Sequence, residues 1–205
     1  MKKLDLRNVT LVIADGHNPK AKVKELSEYI ESNIDFYDTK LFLSGLNTIR
    51  AYNLLIVKEL INHIESEYVM ICQLDGYPVN FNAWEDEFLE YDYIGAPWYA
   101  QAWSYDMSVG NGGFSIRSKE FLKQSSKLNY DGVKAEDLFL CRHRKKLLES
   151  QGIRFAPHGV AYRFSVEDLP YKEQFGFHGK KTIEITKYSR KRWGVDYNDE
   201  FKARN

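Results

Sequence analysis

Residues Tyr68 to Gly76 read YVMICQLDG, an apolar run that closes on an acid and a glycine. The same design appears earlier, where Val9 to Gly16 read VTLVIADG. Short Val- and Ile-rich runs of this kind belong to strands buried in a mostly parallel sheet. Between the two, Asn18-Pro19 opens a helical stretch whose Val23, Leu26 and Ile30 recur at three- and four-residue spacing. Tyr37 to Ser44 (YDTKLFLS) reads as a second strand, and Tyr52 to Glu65 as a second helix with Leu54, Val57, Ile61 and Ile64 on one stripe. Strand–helix–strand–helix–strand predicts an open α/β sheet with right-handed crossovers. Ligands of such sheets sit beyond the carboxyl ends of the strands, where Asp15 and Asp75 would project.

Further along, Asp92 to Pro97 (DYIGAP) and Gly113 to Arg117 (GFSIR) read as short strands joined by an aromatic-rich loop, Trp98 to Val109. Lys119 to Lys127 reads as a helix. Glu136 to Ser150 reads as a longer one with Leu138, Cys141 and Leu148 on an apolar stripe, acidic at its start and carrying Arg142, Arg144, Lys145 and Lys146 further on, a polarity that suits the helix dipole. Ile153 to Ala156 and Ala161 to Val166 are the expected last strands. One domain over residues 1–181 and a basic tail over 182–205, with Lys187, Arg190, Lys191, Arg192 and Trp193, is the expected organisation.

The chain has 205 residues, 29 Lys+Arg and 29 Asp+Glu, and no net charge. That balance argues against a protein held chiefly by a nucleic-acid backbone or an anionic membrane, while leaving room for a local basic patch. Aromatics make up 15% of the chain, and most are expected in the core. Cys72 and Cys141 sit in apolar segments without metal-site spacing, which fits a reducing cytoplasm rather than a disulfide framework. Arg7 and Asn8 interrupt the first apolar run, so the start does not read as a signal peptide, and no stretch reaches membrane-span length.

Four features carry chemistry. In Gln73-Leu74-Asp75-Gly76 the carboxylate can ligate a divalent cation or accept from a ribose hydroxyl, and the glycine admits close backbone approach; a plain turn is the alternative. Gly110, Gly112 and Gly113 cluster before a strand, which points to positive φ or to a chain pressed against a substrate; a hairpin turn is the alternative. No helix and no Lys-Ser/Thr follow, so this is not a phosphate-binding loop. Glu136-Asp137 either complements a helix dipole or supplies a general base. His178, held between glycines in Phe175 to Gly179, is either structural or free to swing onto a metal or phosphate.

The order strand-Asp-Gly, YDYIGAPW, GNGGFSIRS, AEDLF, FSVE and FGFH, from about Asn8 to His178, resembles the small nucleotide-sugar glycosyltransferases of GT-A type. Among them it is similar to an uncharacterised glycosyltransferase-like domain family found with polysaccharide-biosynthesis genes. The resemblance implies a single-domain, Rossmann-related α/β fold, with an open mixed sheet flanked by helices. It implies transfer of a sugar from a nucleoside-diphosphate sugar to a glycan, a lipid-linked acceptor or another hydroxyl. Asp15 and Asn53 would then lie near base and ribose, with Gln73 and Gly76 also on the donor. Asp75 would match the last acid of the Asp-x-Asp metal motif, and Gly112 and Gly113 would flank the donor sugar. Asp137 or Glu136 would be the base, with Asp137 preferred. His178 would reach the metal, Mn²⁺ or Mg²⁺, or the pyrophosphate. The chain departs from the pattern at Gln73, where the first carboxylate of the metal motif is missing.

Two other readings compete: a catalytically silent nucleotide- or sugar-binding module, favoured by Gln73, and a transferase acting on a modified nucleic-acid base. A phosphoryl-transfer or hydrolytic enzyme is disfavoured, because no nucleophile motif or second carboxylate accompanies Asp75. The basic Tyr188 to Trp193 stretch suits an anionic acceptor, lipid-diphosphate or DNA. Trp98, Tyr99, Trp103 and Tyr105 would stack on sugar faces or cap the core.

Overall fold

A computed structural model describes residues 2–98, 109–167 and 170–179. The expected tail, and Tyr99, Trp103 and Tyr105, lie outside them. The first half follows the expected order: β1 (Leu4–Ala14), α1 (Lys20–Glu31), β2 (Ile34–Phe42), α2 (Ile49–Leu54) and β3 (Tyr68–Cys72). β1 starts earlier than its apolar run, and its pairing with β2 shifts register between Leu6 and Thr10, at the polar pair Arg7-Asn8. β5 (Tyr93–Gly95) and β6 (Ser115–Ser118) complete a five-stranded sheet in the order β2-β1-β3-β6-β5. β1 runs parallel to β2 and β3, whereas β6 is antiparallel to both β3 and β5. The protein is thus a single-domain mixed α/β fold, with a mixed sheet flanked by helices.

Two helices depart from their expected stripes for one physical reason. α2 begins at a Thr48 cap, whose hydroxyl accepts from the Ala51 N–H at 3.1 Å, and continues as a π turn over Leu55–Glu59 and a 3₁₀ turn over Leu60–His63. A π turn holds more residues per turn, so the buried stripe slips. Leu55, Ile56 and Leu60 join Val57 and Ile64 inside, while Leu54 and Ile61 are only half-buried. The expected helix Glu136–Ser150 is likewise divided into α4 (Glu136–Leu138), a π turn (Phe139–His143) and α5 (Lys145–Ser150), broken at Arg144. Leu140, Cys141 and Leu148 are buried there and Leu138 is not.

Ala161–Val166 is not a strand. Val160, Ala161 and Phe164 are buried at helical spacing in α6 (His158–Phe164), leaving only Ser165–Val166 as β7. Ile153–Ala156 forms no strand either, only a single bridge from Phe155 to Tyr93. A second sheet was not legible in the sequence. It has the order β4-β8-β7, with β4 (Gly76–Pro78) antiparallel and β7 parallel to β8 (Gly176–His178). Beside it lies a buried aromatic cluster in which Phe114 stacks on Phe164 at 4.7 Å, with Phe88 and Phe175 against them. Among the described residues, most aromatic side chains are buried in the core or packed against it, as expected.

Candidate functional site

The pairing of Ile13 with Cys72 brings Asp15 and Asp75 to the same carboxyl edge of the sheet. From β3 the chain turns sharply into β4: Gln73 N–H donates to the Gly76 carbonyl at 2.8 Å, and Gly76 N–H returns a bond to Gln73 at 3.0 Å. Leu74 and Asp75 form the tip. Leu74 is buried, whereas Asp75 retains 22% exposure of its side chain.

β8 carries His178 to that tip. Its Nε2 lies 3.7 Å from Asp75 Oδ1 and 3.4 Å from Gln73 Oε1, and its Nδ1 lies 3.4 Å from Glu167 Oε1 and 2.8 Å from Asn111 Nδ2. The histidine is therefore held in a strand rather than swinging between glycines. Neighbouring glycines make room for it. A Cβ on Gly113 would lie 2.1 Å from His178 Nε2, and one on Gly76 would lie 2.5 Å from its Cδ2. Both glycines meet the chain's own imidazole, whereas the sequence pointed to close approach by a ligand.

The glycine loop is built on the same principle. Its positive φ falls on Asn111, at 64°, a residue that tolerates the left-handed region, and on none of the loop's glycines. Asn111 Oδ1 accepts from the N–H groups of Gly113 (3.1 Å) and Phe114 (3.4 Å), which aims its amide nitrogen at His178. Gly112 is the tightest position, since a Cβ there would fall 1.5 Å from Glu136 Oε1. The missing side chains of Gly112 and Gly113 thus leave room for Glu136, His178 and Gln73.

Glu136 and Asp137 part company. Glu136 is buried and pairs with fully buried Arg117 at 3.0 Å, while the same guanidinium nitrogen reaches the Gly112 carbonyl at 3.4 Å. Burial pushes the Glu136 carboxyl up and Arg117 pulls it back. Glu136 is therefore a brace between loop and helix, and does not face the site as a base would. Asp137 is half-buried, and its Oδ2 accepts from Gly112 N–H at 3.3 Å. The two neighbours diverge as helix geometry requires.

Asp15 and Asn53 lie elsewhere in the network. Asp15 accepts from the His17 and Asn18 N–H groups at 2.9 Å, organising the turn into α1. Asn53 is buried and donates to the carbonyls of Gly132 and Lys134, both at 3.0 Å. That clamps the loop leading to Asp137, a positioning task rather than the expected contact with base or ribose. Tyr52, one residue earlier, accepts from Gln73 Nε2 at 2.9 Å and ties α2 to the tip.

The site is thus His178 ringed by Asp75, Glu167, Gln73 and Asn111, with Asp137 across the Gly112–Gly113 backbone. The motifs that contain Asn111 and Glu167 mark no role for either, and Arg117 carries no signal beyond its place in a strand. Burial alone would lower the His178 pKa, but Asp75, Glu167 and Asp137 outweigh it and hold it at about 9. The Asn111 amide, a donor aimed at Nδ1, opposes part of that rise. A histidine whose pKa rises on folding stabilises the protein fully below its unfolded value of about 6.5. That contribution disappears as pH rises through about 9. Melting curves in EDTA should show wild type losing more stability between these two pH values than His178→Gln does. Equal losses would mean that His178 is not charged in the folded protein.

A family model described as "Protein of unknown function (DUF5672)" matches residues 32–178. The match ends on His178 and so contains the whole cluster, while Asp15 lies outside it. No curated protein matches the chain. Among solved structures it is similar to the "Crystal Structure of A197 from STIV", at 14% identity and a TM-score of 0.41, over 72% of this chain and 79% of that one.

Proposed function

This chain belongs to the DUF5672 family, and we propose that it is a GT-A-type glycosyltransferase, moving a sugar from a nucleoside-diphosphate sugar to a hydroxyl of a glycan or lipid-linked acceptor. The observation that supports this reading is the convergence of Asp75, Asp137, Glu167 and His178 around the Gly112–Gly113 backbone, beyond the carboxyl end of β3. Ligands of open α/β sheets bind in that position.

The chain's own groups divide the work. The carboxylates around His178 favour its charged form, in which it would offer a positive group to the leaving diphosphate. Asp137, fixed by the Gly112 N–H, is the carboxylate placed to take the acceptor's proton in an inverting transfer. Asp75 and His178, whose Oδ1 and Nε2 lie 3.7 Å apart, are the residues that would hold a divalent cation. No cluster of three His, Cys, Asp or Glu suited to a metal occurs among the described residues. Such a cation would neutralise the leaving group. It would also require His178 to release its proton.

A calorimetric titration with nucleoside diphosphates, in Mn²⁺ and in EDTA, tests the reading together with a donor-hydrolysis panel. Binding in at least one condition is expected, and Asp75→Asn should abolish sugar transfer while leaving the melting temperature near wild type. No binding of any nucleoside diphosphate overturns the proposal. Near-normal turnover in Asp75→Asn returns Asp75 to the role of a turn residue. Binding without transfer to any acceptor would favour the silent module. Gln73 supports that second reading, since its amide is held between Tyr52 and His178 where the metal motif has a carboxylate.

A further inference from the structure

Two of the four large hydrophobic residues most exposed on the described surface flank one loop, and a third lies on the helix that follows it. Val133 is 72% exposed in the loop, Ile49 is 55% exposed at the start of α2, and Leu147 is 44% exposed on α5. Contacts hold the loop to α2 and to the π turn that precedes α5. Arg50 Nε donates to the Asp131 carbonyl at 2.8 Å, Asn53 clamps Gly132 and Lys134, and Tyr130 packs on Phe139 with ring centroids 4.3 Å apart.

The charges around these residues are mainly positive, with Asp131 and Glu149 the exposed acids among them. Arg50, Lys134, His143, Arg144 and Lys146 are all exposed. The Arg144 guanidinium lies 5.3 Å from the Phe139 ring, and Tyr130, packed on that ring, donates to the Lys134 carbonyl, so both cations flank one aromatic pair. Lys134, Arg144 and Lys146 make no ion pair among the described residues, whereas Lys145 meets Glu149 at 3.8 Å. Of the nearby acids, Glu136 is buried against Arg117, and Asp131 Oδ1 caps the Val133 N–H. A chain with no net charge therefore concentrates unpaired cations around its protruding apolar side chains.

We propose that this face docks on an anionic lipid bilayer, with Val133, Leu147 and Ile49 entering the headgroup boundary and Arg50, Lys134, Arg144 and Lys146 over the lipid phosphates. Both halves of the pattern are needed, because apolar insertion and attraction to anionic lipid add together at an interface. A protein partner would satisfy the apolar residues without needing this excess of positive charge, and nucleic acid would not need Val133 at 72% exposure. No described helix is long and apolar enough to cross a membrane, so the contact is peripheral. Asp137 lies three residues beyond Lys134. The lipid contact does not depend on the sugar-transfer reading.

Co-sedimentation of the full chain with phosphatidylcholine vesicles, with and without phosphatidylglycerol, tests this directly, without nucleotide or acceptor. Binding should require phosphatidylglycerol and fall with added salt. Each cation removed is expected to weaken it about fivefold. Arg144→Glu/Lys146→Glu should therefore cost at least tenfold, and Val133→Asp severalfold at unchanged melting temperature. Equal binding to neutral vesicles, retention of a DNA duplex but of neither vesicle, or wild-type vesicle binding by both variants would each overturn the proposal. The last result would place the attraction elsewhere on the chain. Because no donor enters the assay, its failure is distinguishable from failure of the sugar-transfer reading.

Discussion

Replacing Asp137 by asparagine is expected to slow sugar transfer by roughly 10²–10⁴-fold, the usual contribution of a positioned general base. Asn keeps the size of the side chain and an oxygen for the Gly112 N–H, so the loop and donor affinity should survive. If the acid served only the helix dipole, the loss would instead be about 0.3–1 kcal/mol of stability with turnover intact. Transfer rate, nucleotide affinity and melting temperature, measured on one preparation, separate these cases. Normal turnover in Asp137→Asn would remove the base assignment and favour a retaining mechanism or a silent module. Glu136→Gln provides the contrast, because its side chain faces Arg117. It should affect stability more than chemistry.

Removal of Arg117 should have the largest effect on the fold. Arg117 is fully buried, pairs with Glu136, lies over the Tyr93 ring at 5.2 Å and supports the Gly112 carbonyl. Taking away one partner strands a buried carboxylate, at a cost of about 3–5 kcal/mol. For a chain of this size that corresponds to a melting-temperature fall on the order of 10 °C in Arg117→Met. Replacing both charges, in Arg117→Met/Glu136→Leu, should recover much of the loss, since matched apolar pairs often equal buried ion pairs. Arg117 Nη1 and Glu136 Oε2 are buried without hydrogen-bond partners among the described residues, which strengthens that expectation. If the double variant melts no higher than the single one, the pair acts through the Gly112 loop rather than through its charge.

Much of the architecture was legible because it is local. VTLVIAD and YVMICQLD read as buried strands and form them up to Ala14 and Cys72, and Lys119–Lys127 is a helix over the residues its pattern implied. Each ends or begins with turn chemistry that acts within a few residues. The same locality made Asp75 stand out at a strand end. Helix interiors were less legible. π turns moved the buried stripes of α2 and of the 136–150 segment, and such turns depend on packing rather than on propensity.

The purpose of the glycines and acids was decided only by tertiary structure. Gly76 and Gly113 read in sequence as room for a ligand, yet they are close-packed against His178, which lies 102 and 65 residues further along the chain. Glu136 and Asp137 carry the same chemistry at adjacent positions, and the sequence left both open as the base. Arg117, buried on β6, draws one carboxylate inside, while the other remains by the Gly112 N–H. Sequence patterns report short-range periodicity and backbone freedom. Which side chain occupies a glycine's vacant space, and which of two acids is neutralised by a buried cation, depends on contacts between distant segments that form only when the sheets pack together.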